Sequence, residues 1–240
     1  MKFLSEILKK SIISFDLSQR FAFFSLSTKF ALDRAVKRKT EINTVIDIGA
    51  SDGRWSIETQ KFFPKAFYFL IEAQQEHEFA LKKLKNKIQN FNYSICAAGD
   101  KNGTIYFDST DLFGGLATSD NAKEGLISVP VSMIDSLVKE NNLKGPFLLK
   151  LDTHGFEVPI FEGANETLKK TNLIIVETYN FRITKDSLLF GEMCAYLATK
   201  GFRCVDISEP MFRKKDKSFW QIDLFFIPSS SPIFSSEDYE

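Results

Sequence analysis

The nine-residue run Val-Ile-Asp-Ile-Gly-Ala-Ser-Asp-Gly at positions 45–53 constrains the fold more than any other part of the sequence. Its pattern predicts a buried strand over 44–49, a glycine-containing turn, and a helix over 54–62. In open α/β sheets, ligands bind at the carboxyl ends of strands near the switch in strand order, and glycines let the backbone approach them closely. The run therefore predicts cofactor contacts at Gly49, Ala50, Ser51 and Gly53.

Apolar runs alternate with helical periodicity from this strand onward. The alternation predicts a doubly wound α/β fold with a mostly parallel, seven-stranded sheet. The last two apolar runs, at 202–207 and 219–227, have no helix between them, so they predict an antiparallel pair at the C-terminal edge of the sheet. Residues 99–130 interrupt the alternation with turn signals around one short strand at 104–107, and we interpret them as an insertion or lid.

The length of 240 residues suits one well-packed domain, which we place at residues 42–228. Residues 229–240 are serine-rich and acidic, and we expect a flexible tail. Residues 1–41 are predicted to be a helical extension with nine basic and four acidic side chains. Amphipathic helices of this kind more often pack on their own domain or on a dimer partner, and a peripheral contact with an anionic membrane surface is the alternative.

Composition argues against several classes of protein. Lysine plus arginine and aspartate plus glutamate number 31 each, so no net positive field recruits nucleic acid. The three cysteines, Cys96, Cys194 and Cys204, lack CxxC spacing, which argues against a zinc site or a disulfide framework. No apolar run approaches the roughly 20 residues that span a bilayer. We expect a cytoplasmic protein, either free or peripheral at the inner face of the membrane.

Two acids at the ends of neighbouring strands point to the cofactor. Asp47 stands where the GxGxxG motif of nicotinamide enzymes keeps a glycine; its charge would repel a pyrophosphate but suits the ammonium group of a methionine moiety. Glu72 closes the second predicted strand, where an acid can accept hydrogen bonds from ribose hydroxyls. Together with Ala97 after the third strand, these residues predict S-adenosylmethionine as the cofactor. For Asp47 alone, a turn-forming role is the alternative.

A second polar group of residues surrounds the end of the fourth predicted strand, in the run Leu-Lys-Leu-Asp-Thr-His-Gly-Phe-Glu at 149–157. Asp152 ends this strand at the same sheet edge as the two cofactor acids, and His154 follows in the loop. Glu157 is expected to cap the turn at the start of the next helix. The other histidine, His77, lies in a predicted helix, and we interpret it as solvated.

Several motifs together resemble those of the FkbM-type methyltransferases over roughly residues 43–180. They are Val-Ile-Asp-Ile-Gly-Ala at 45–50, Ile-Glu at 71–72, Lys-x-Asp-x-x-Gly-x-Glu at 150–157, Glu-Gly-Ala at 162–164 and Ile-Val-Glu at 175–177. The resemblance implies the Rossmann-like methyltransferase fold and O-methylation with S-adenosylmethionine, often of sugars or other secondary-metabolite hydroxyls. Many members have an acid where this chain has His154, so metal use by relatives is not carried over.

The expected chemistry needs a base, because a sugar hydroxyl is a poor nucleophile at neutral pH. Histidine changes its charge near neutral pH, which makes His154 the first candidate. Asp152 could orient His154, act as the base itself, or contact the cofactor. A loop histidine that only bonds backbone is the alternative. Asp152, His154 and Glu177 also offer the ligand types of a magnesium or manganese site. We do not favour a metal, because strand-end acids often only position loops.

Substrate contacts are expected from the insertion and from the loop after the fifth strand. An aromatic ring and amides suit a glycan or another small polar molecule. We therefore predict substrate contacts at Gly114, Gly115, Tyr179, Asn180 and Arg182. Two rival functions remain, a catalytically silent adaptor that keeps the fold for binding and an NAD-dependent oxidoreductase. A nucleic-acid methyltransferase is disfavoured, because no Pro-Pro-aromatic tetrapeptide follows the fourth strand.

Overall fold

The computed structural model describes residues 25–112, 114–118 and 125–239. Its strands are β1 (Thr44–Ile48), β2 (Phe67–Glu72), β3 (Phe91–Ile95), β4 (Ala97–Ala98), β5 (Gly103–Asp108), β6 (Leu116–Thr118), β7 (Ile127–Ser132), β8 (Phe147–Leu151), β9 (Thr171–Tyr179), β10 (Phe202–Phe212) and β11 (Phe219–Pro228). Its α-helices are α1 (Thr28–Lys37), α2 (Arg54–Thr59), α3 (Glu78–Lys85), α4 (Ile134–Glu140), α5 (Glu157–Glu162), α6 (Asn165–Leu168) and α7 (Phe190–Thr199).

The main sheet has the strand order β10-β11-β9-β8-β1-β2-β3. Strands β3, β2, β1, β8 and β9 pair in parallel, whereas β11 is antiparallel to both β9 and β10. The strand order reverses beside β1, so the carboxyl ends of β1 and β8 border the crevice in which doubly wound folds bind ligands. This topology confirms the predicted seven-stranded, mostly parallel sheet and its antiparallel C-terminal edge pair.

Helices cover both faces of this sheet, which explains the near-continuous apolar character of its strands. All five residues of β1 and all five of β8 are buried. Side chains alternate between the faces, so Ile46 and Ile48 belong to one apolar cluster while Val45 belongs to the other. On the face of Val45, the strands also carry two buried polar residues, Asp47 and Lys150.

The insertion differs from its prediction. The sequence predicts one short strand within residues 99–130, whereas the described part of the insertion contains β5, β6 and β7, which complete a four-stranded sheet with β4. Ile105, Phe107, Val129 and Val131 form the small apolar core of this second sheet together with Ala97. Strands β4 and β6 escape prediction because they have only two and three residues, too few for a period-two pattern, and β7 contains Pro130, which argues against a strand.

Helix α1 packs beside β10 at the edge of the main sheet. The Arg34 guanidinium forms a bidentate ion pair with Asp206, at 2.7 and 2.8 Å. The backbone amide of Thr28 donates to Glu209 Oε1 at 2.8 Å. The described part of the predicted extension therefore lies on its own domain. Residues 1–24 lie outside the described residues, so the membrane and dimer expectations for them stay predictions.

The C-terminal tail, expected to be flexible, contains a short 3₁₀ helix at Pro232–Phe234. The guanidinium carbon of Arg203 lies 4.4 Å from the centre of the Phe234 ring, so the first part of the tail packs against β10. Throughout the described ranges, no helix combines the length and the apolar character that crossing a bilayer requires.

Candidate active site

A cavity of about 740 Å³ opens at the carboxyl ends of β1, β2, β8 and β9. This volume lies within the roughly 300–1,000 Å³ that is typical of small-molecule sites. The structure brings together many of the site residues predicted from the sequence. Those that line the cavity are Gly49, Ala50, Ser51, Glu72, Ala97, Gly115, Asp152, His154 and Glu177.

One side of the cavity, which we name the cofactor wall, consists of the turn at residues 49–51, Glu72 and Gln74. Glu72 is 6% exposed, and its two carboxylate oxygens accept hydrogen bonds from the backbone amides of Ser51 at 2.7 Å and Gln74 at 2.8 Å. These bonds fix the carboxylate at the end of β2. Each oxygen keeps a free lone pair, so Glu72 can still accept a bond from a ligand hydroxyl.

Gly49 holds the turn of the cofactor wall against the end of β8. Its φ of +75° lies in the left-handed region, and a Cβ at this position would lie 2.1 Å from the carbonyl oxygen of Asp152. Any other residue would push apart the two loops that border the cavity. The glycine is therefore needed for the contact between the loops that follow β1 and β8.

The structure gives Asp47 a different role from the predicted contact with a cofactor ammonium group. Its side chain is 0% exposed, and it is not among the described residues that line the cavity. The carboxylate accepts a hydrogen bond from Ser56 Oγ at 2.8 Å and lies 3.3 Å from Lys150 Nζ. Burial raises the pKa of Asp47, although the charge of Lys150 opposes the shift. Asp47 therefore pairs with a buried lysine beneath the cavity.

Lys150, which the sequence analysis did not single out, connects the two sides of the site. Its Nζ lies 3.1 Å from Asp152 Oδ2 and 5.6 Å from the centre of the Trp55 ring. Burial alone would lower the pKa of Lys150, but the charges of Asp152 and Asp47 outweigh burial and raise it, so the amine stays protonated. The signal that the sequence offered was a lysine among the leucines at 148–151; its position opposite Asp47 follows only from the register of β1 and β8.

A second side of the cavity, which we name the acid cluster, lies next to the turn of the cofactor wall and consists of Asp152, His154 and Glu177. His154 Nε2 lies 3.7 Å from Asp152 Oδ1 and 3.8 Å from Glu177 Oε2. His154 has a φ of +52°, so the backbone turns sharply after β8 and brings the ring near both carboxylates. Tyr179 Oη and Gln221 Nε2 each donate a hydrogen bond to one oxygen of Glu177.

The carboxylates near the acid cluster titrate differently. Burial and the charge of Asp152 raise the pKa of Glu177 from 4.5 to about 8, and they raise that of the adjacent Asp223 from 3.8 to about 7. Burial would raise the pKa of Asp152 too, but the charges of Lys150 and His154 outweigh burial and lower it. Near neutral pH, Glu177 therefore holds a proton while Asp152 carries the negative charge.

The acid cluster also has the composition of a metal site. One ligand atom from each of its three residues lies within 4.8 Å of the other two. Carboxylate oxygens and an imidazole nitrogen suit magnesium or manganese, as considered from the sequence. The geometry is therefore compatible with a general base and with a metal ligand at His154.

Two buried polar residues tie the insertion to the cofactor wall. Gln74 is 3% exposed; its Nε2 donates to the carbonyls of Asp111 and Leu112, while its Oε1 has no partner within the described ranges. The interpretation of His77 as a solvated residue is wrong: it is 4% exposed, and its Nε2 donates to the Leu112 carbonyl at 2.9 Å. The partners come from residues 35 or more positions away, which helical periodicity does not show.

Five other predicted site residues lie outside the cavity lining: Gly53, Gly114, Tyr179, Asn180 and Arg182. Gly53, with φ +80°, begins α2, and a Cβ there would lie 2.6 Å from Leu84 Cδ1. Its conformational freedom therefore serves the packing of α2 on α3, not a cofactor contact. Gly114 lies beside the Asp111 side chain and does not line the cavity, although the adjacent Gly115 does.

The predicted substrate residues after the fifth strand have structural partners. Strand β9 continues to Tyr179, which is 7% exposed, and the backbone amide of Asn180 donates to the Trp220 carbonyl at 2.8 Å. Arg182 donates to the Ser187 carbonyl at 2.6 Å and pairs with Glu192 at 2.7 Å. These bonds close the loop between β9 and α7. Tyr179 does not line the cavity, and it contacts the site through its hydrogen bond to Glu177.

Comparison with solved structures agrees with the fold. The methyltransferase FkbM of Methylobacillus flagellatus KT superimposes with a TM-score of 0.51 at 15% identity; the match covers 76% of this chain and 43% of that one. The chain thus spans less than half the length of that protein. The fibrillarin pre-rRNA processing protein of Methanococcus jannaschii gives a TM-score of 0.49 at 11% identity, covering 80% of this chain and 72% of that one. No curated protein matches the sequence.

Family comparison gives the more specific result. The sequence profile described as the methyltransferase FkbM domain matches residues 47–204, which is more than half of the chain. The matched region runs from Asp47 in β1 to Cys204 near the start of β10, and it includes the cofactor wall and the acid cluster. It leaves out α1 and nearly all of the C-terminal edge pair. The chain therefore belongs to the FkbM methyltransferase family and has its Rossmann-like methyltransferase fold.

Proposed function

We propose that this protein transfers the methyl group of S-adenosylmethionine to a hydroxyl of a sugar, glycan or other secondary metabolite. One observation carries the proposal: a single cavity joins the cofactor wall, built of a glycine turn and the strand-end acid Glu72, to the acid cluster around His154. The first side has the groups that hold a nucleoside, and the second has a histidine at the same sheet edge.

The residues present fit this cofactor. Glu72 is a fixed carboxylate that can accept from ribose hydroxyls, and the buried, unpartnered Oε1 of Gln74 is a free acceptor for an amino group such as that of adenine. When bound, the cofactor supplies a methyl group that is already activated for attack by oxygen.

Side chains of the protein would then accept the proton that the acceptor hydroxyl releases. His154 Nε2 takes the proton from the attacking hydroxyl, and the nearby Asp152 carboxylate stabilises the imidazolium that results. Glu177, protonated near neutral pH and held by Tyr179 and Gln221, keeps its position beside the imidazole. Lys150 keeps Asp152 ionised and fixed.

Calorimetry with S-adenosylhomocysteine tests the cofactor assignment. We expect binding to wild type, and Glu72→Ala should weaken it by at least about tenfold because a charge-assisted hydrogen bond is lost. The exposed Glu76→Ala should bind as wild type does and serves as the control. Absence of binding to the wild-type protein would contradict the assignment.

His154→Asn tests the base. Asparagine tolerates the left-handed backbone at this position but does not accept a proton at neutral pH. With tritiated S-adenosylmethionine and a panel of nucleotide sugars and glycan fragments, we expect turnover to fall by about 10²-fold to 10³-fold with affinity for S-adenosylhomocysteine kept. A wild-type rate would place the base elsewhere. Chelator treatment should leave activity intact; activity lost with chelator and restored by magnesium would instead make the acid cluster a metal site.

A further inference from the structure

The cavity extends beyond the two sides described above, into a space between α1 and α2. We name this space the helix arm; Thr28 and Leu32 line it from α1, and Trp55, Thr59 and Phe62 line it from α2 and the turn that follows. Residues four apart share one face of a helix, so each helix presents one continuous face to the arm. The arm therefore follows the helices for at least about one turn, roughly 5 Å, away from the sheet edge.

The helix arm begins at the acid cluster. The ring of Trp55 lies 5.6 Å from Lys150 Nζ, and the same nitrogen lies 3.1 Å from Asp152 Oδ2. A molecule that presents a hydroxyl to His154 can thus continue past the Trp55 ring into the arm. The polar side chains of the cofactor wall, Glu72 and Gln74, belong to other elements than the two helices of the arm.

The character of the helix arm changes along its length. Leu32, Trp55 and Phe62 pack against the apolar cluster on that face of the sheet, whereas the charged residues Lys29, Arg54 and Glu58 line the arm from exposed positions of the same helices. Thr59 is 0% exposed, and its hydroxyl has no partner within the described ranges. A buried hydroxyl without a partner is costly, so it points to a ligand atom that bonds it.

We propose that the methyl acceptor is an amphiphile, with a hydroxylated head group at the acid cluster and a mainly apolar chain in the helix arm. This inference rests on the proposed function, because it assumes that the acid cluster receives the acceptor hydroxyl. A free sugar or nucleotide sugar would leave the arm unfilled. An acyl or alkyl chain buries apolar surface along Leu32 and Phe62, and a single polar atom on it can bond Thr59.

Binding of alkyl glucosides tests the chain directly and does not depend on methyl transfer. Methyl, butyl, hexyl and octyl β-glucoside are titrated by calorimetry, below their micelle concentrations, into protein saturated with S-adenosylhomocysteine. Affinity should rise by about fourfold for each added methylene that is buried, so that octyl glucoside binds at least tenfold more tightly than methyl glucoside. Equal affinity along the series would overturn the proposal.

Two variants locate the chain. Thr59→Leu adds apolar volume inside the arm and should lower the affinity for octyl glucoside at least tenfold while that for methyl glucoside stays the same. Gln60→Leu makes the same kind of change at the next position, which does not line the cavity, and should leave both affinities unchanged. If Thr59→Leu folds and binds octyl glucoside with wild-type affinity, the proposal is wrong. If Thr59→Leu does not fold, the dependence of affinity on chain length in the wild-type protein remains the test.

The same samples separate this inference from the proposed function. If S-adenosylhomocysteine binds and the glucoside series shows no dependence on chain length, the amphiphilic acceptor is wrong and the methyltransferase proposal stands. If S-adenosylhomocysteine does not bind, the glucosides are titrated into the protein alone. Chain-length dependence there would keep an apolar-chain site while contradicting the cofactor assignment.

Discussion

Each of the two sides of the cavity contains an acid at the end of a strand, but the two acids have different kinds of partner. On the cofactor wall, Glu72 accepts from two backbone amides, at 2.7 and 2.8 Å. In the acid cluster, Asp152 lies 3.1 Å from Lys150 Nζ, and His154 Nε2 lies 3.7 Å from Asp152 and 3.8 Å from Glu177. The cofactor wall is therefore set by backbone geometry, whereas the acid cluster is set by charge.

This difference indicates how each side will respond to change. The cofactor wall is held by backbone contacts, so it should fail when its backbone is forced apart. Side chains that share protons and charge should respond to pH and to the loss of any one member. Substitutions on the two sides therefore test whether backbone geometry holds one and charge holds the other.

The largest effect is expected from Lys150→Met. The substitution leaves the fully buried Asp47 without its cation, and breaking a buried ion pair in this way costs about 3–5 kcal/mol in the free energy of unfolding. Urea denaturation at pH 7 measures this loss. The double variant Lys150→Met/Asp47→Asn removes the stranded charge and keeps an acceptor for Ser56, so it should recover most of the stability. If Lys150→Met alone were as stable as wild type, the charge of Lys150 would not hold this side of the cavity together.

The next effect is expected from Gly49→Ala on the cofactor wall. The new Cβ would lie 2.1 Å from the Asp152 carbonyl oxygen in a backbone with φ +75°, which together should cost about 1–3 kcal/mol. Affinity for S-adenosylhomocysteine should fall in the same variant, because the turn is displaced. Gly191→Ala is the control, since a Cβ there meets no atom within 4 Å. A Gly49→Ala protein with wild-type stability and cofactor affinity would show that the wall is not set by backbone contact.

The same comparison explains what the sequence could predict. Apolar runs and glycine turns specify the main sheet and the position of the cavity, and Glu157 caps its turn as expected, accepting from the Gly155 amide at 2.9 Å. These features depend on local patterns. The role of Asp47 was misassigned because its partner Lys150 lies about 100 residues away, and only the register of β1 against β8 makes them neighbours.

The substrate residues after β9 were misassigned for a similar reason. Their partners, such as Trp220 for Asn180 and Glu192 for Arg182, come from β11 and α7, which the local pattern around 179–182 does not specify. The acid cluster itself was predicted by residue type and strand position, whereas the order in which its carboxylates titrate depends on burial. Residue types at strand ends therefore locate a site, and their partners across the sheet decide what each residue does.

A smaller effect is expected from pH through Glu177. Its pKa is raised from 4.5 to about 8 in the folded protein, so unfolding releases a proton between these values and the protein loses stability as pH rises through that window. Partial solvation and screening should reduce the loss to about 1–2 kcal/mol. Glu177→Gln, which keeps an uncharged side chain, should remove this part of the pH dependence. The exposed Glu166→Gln should retain the wild-type profile, and identical profiles for wild type and Glu177→Gln would contradict the raised pKa.

The smallest effect is expected from Arg182→Ala. The sequence suggests a substrate contact, whereas in the structure the guanidinium donates to the Ser187 carbonyl and pairs with Glu192 while about half exposed. Exposed ion pairs contribute little, so the free energy of unfolding should fall by less than about 1 kcal/mol. Octyl glucoside affinity and turnover should stay at wild-type values, because the residue lies outside both sides of the cavity. A clear rise in KM with stability unchanged would restore Arg182 to the substrate site and extend that site beyond the acid cluster.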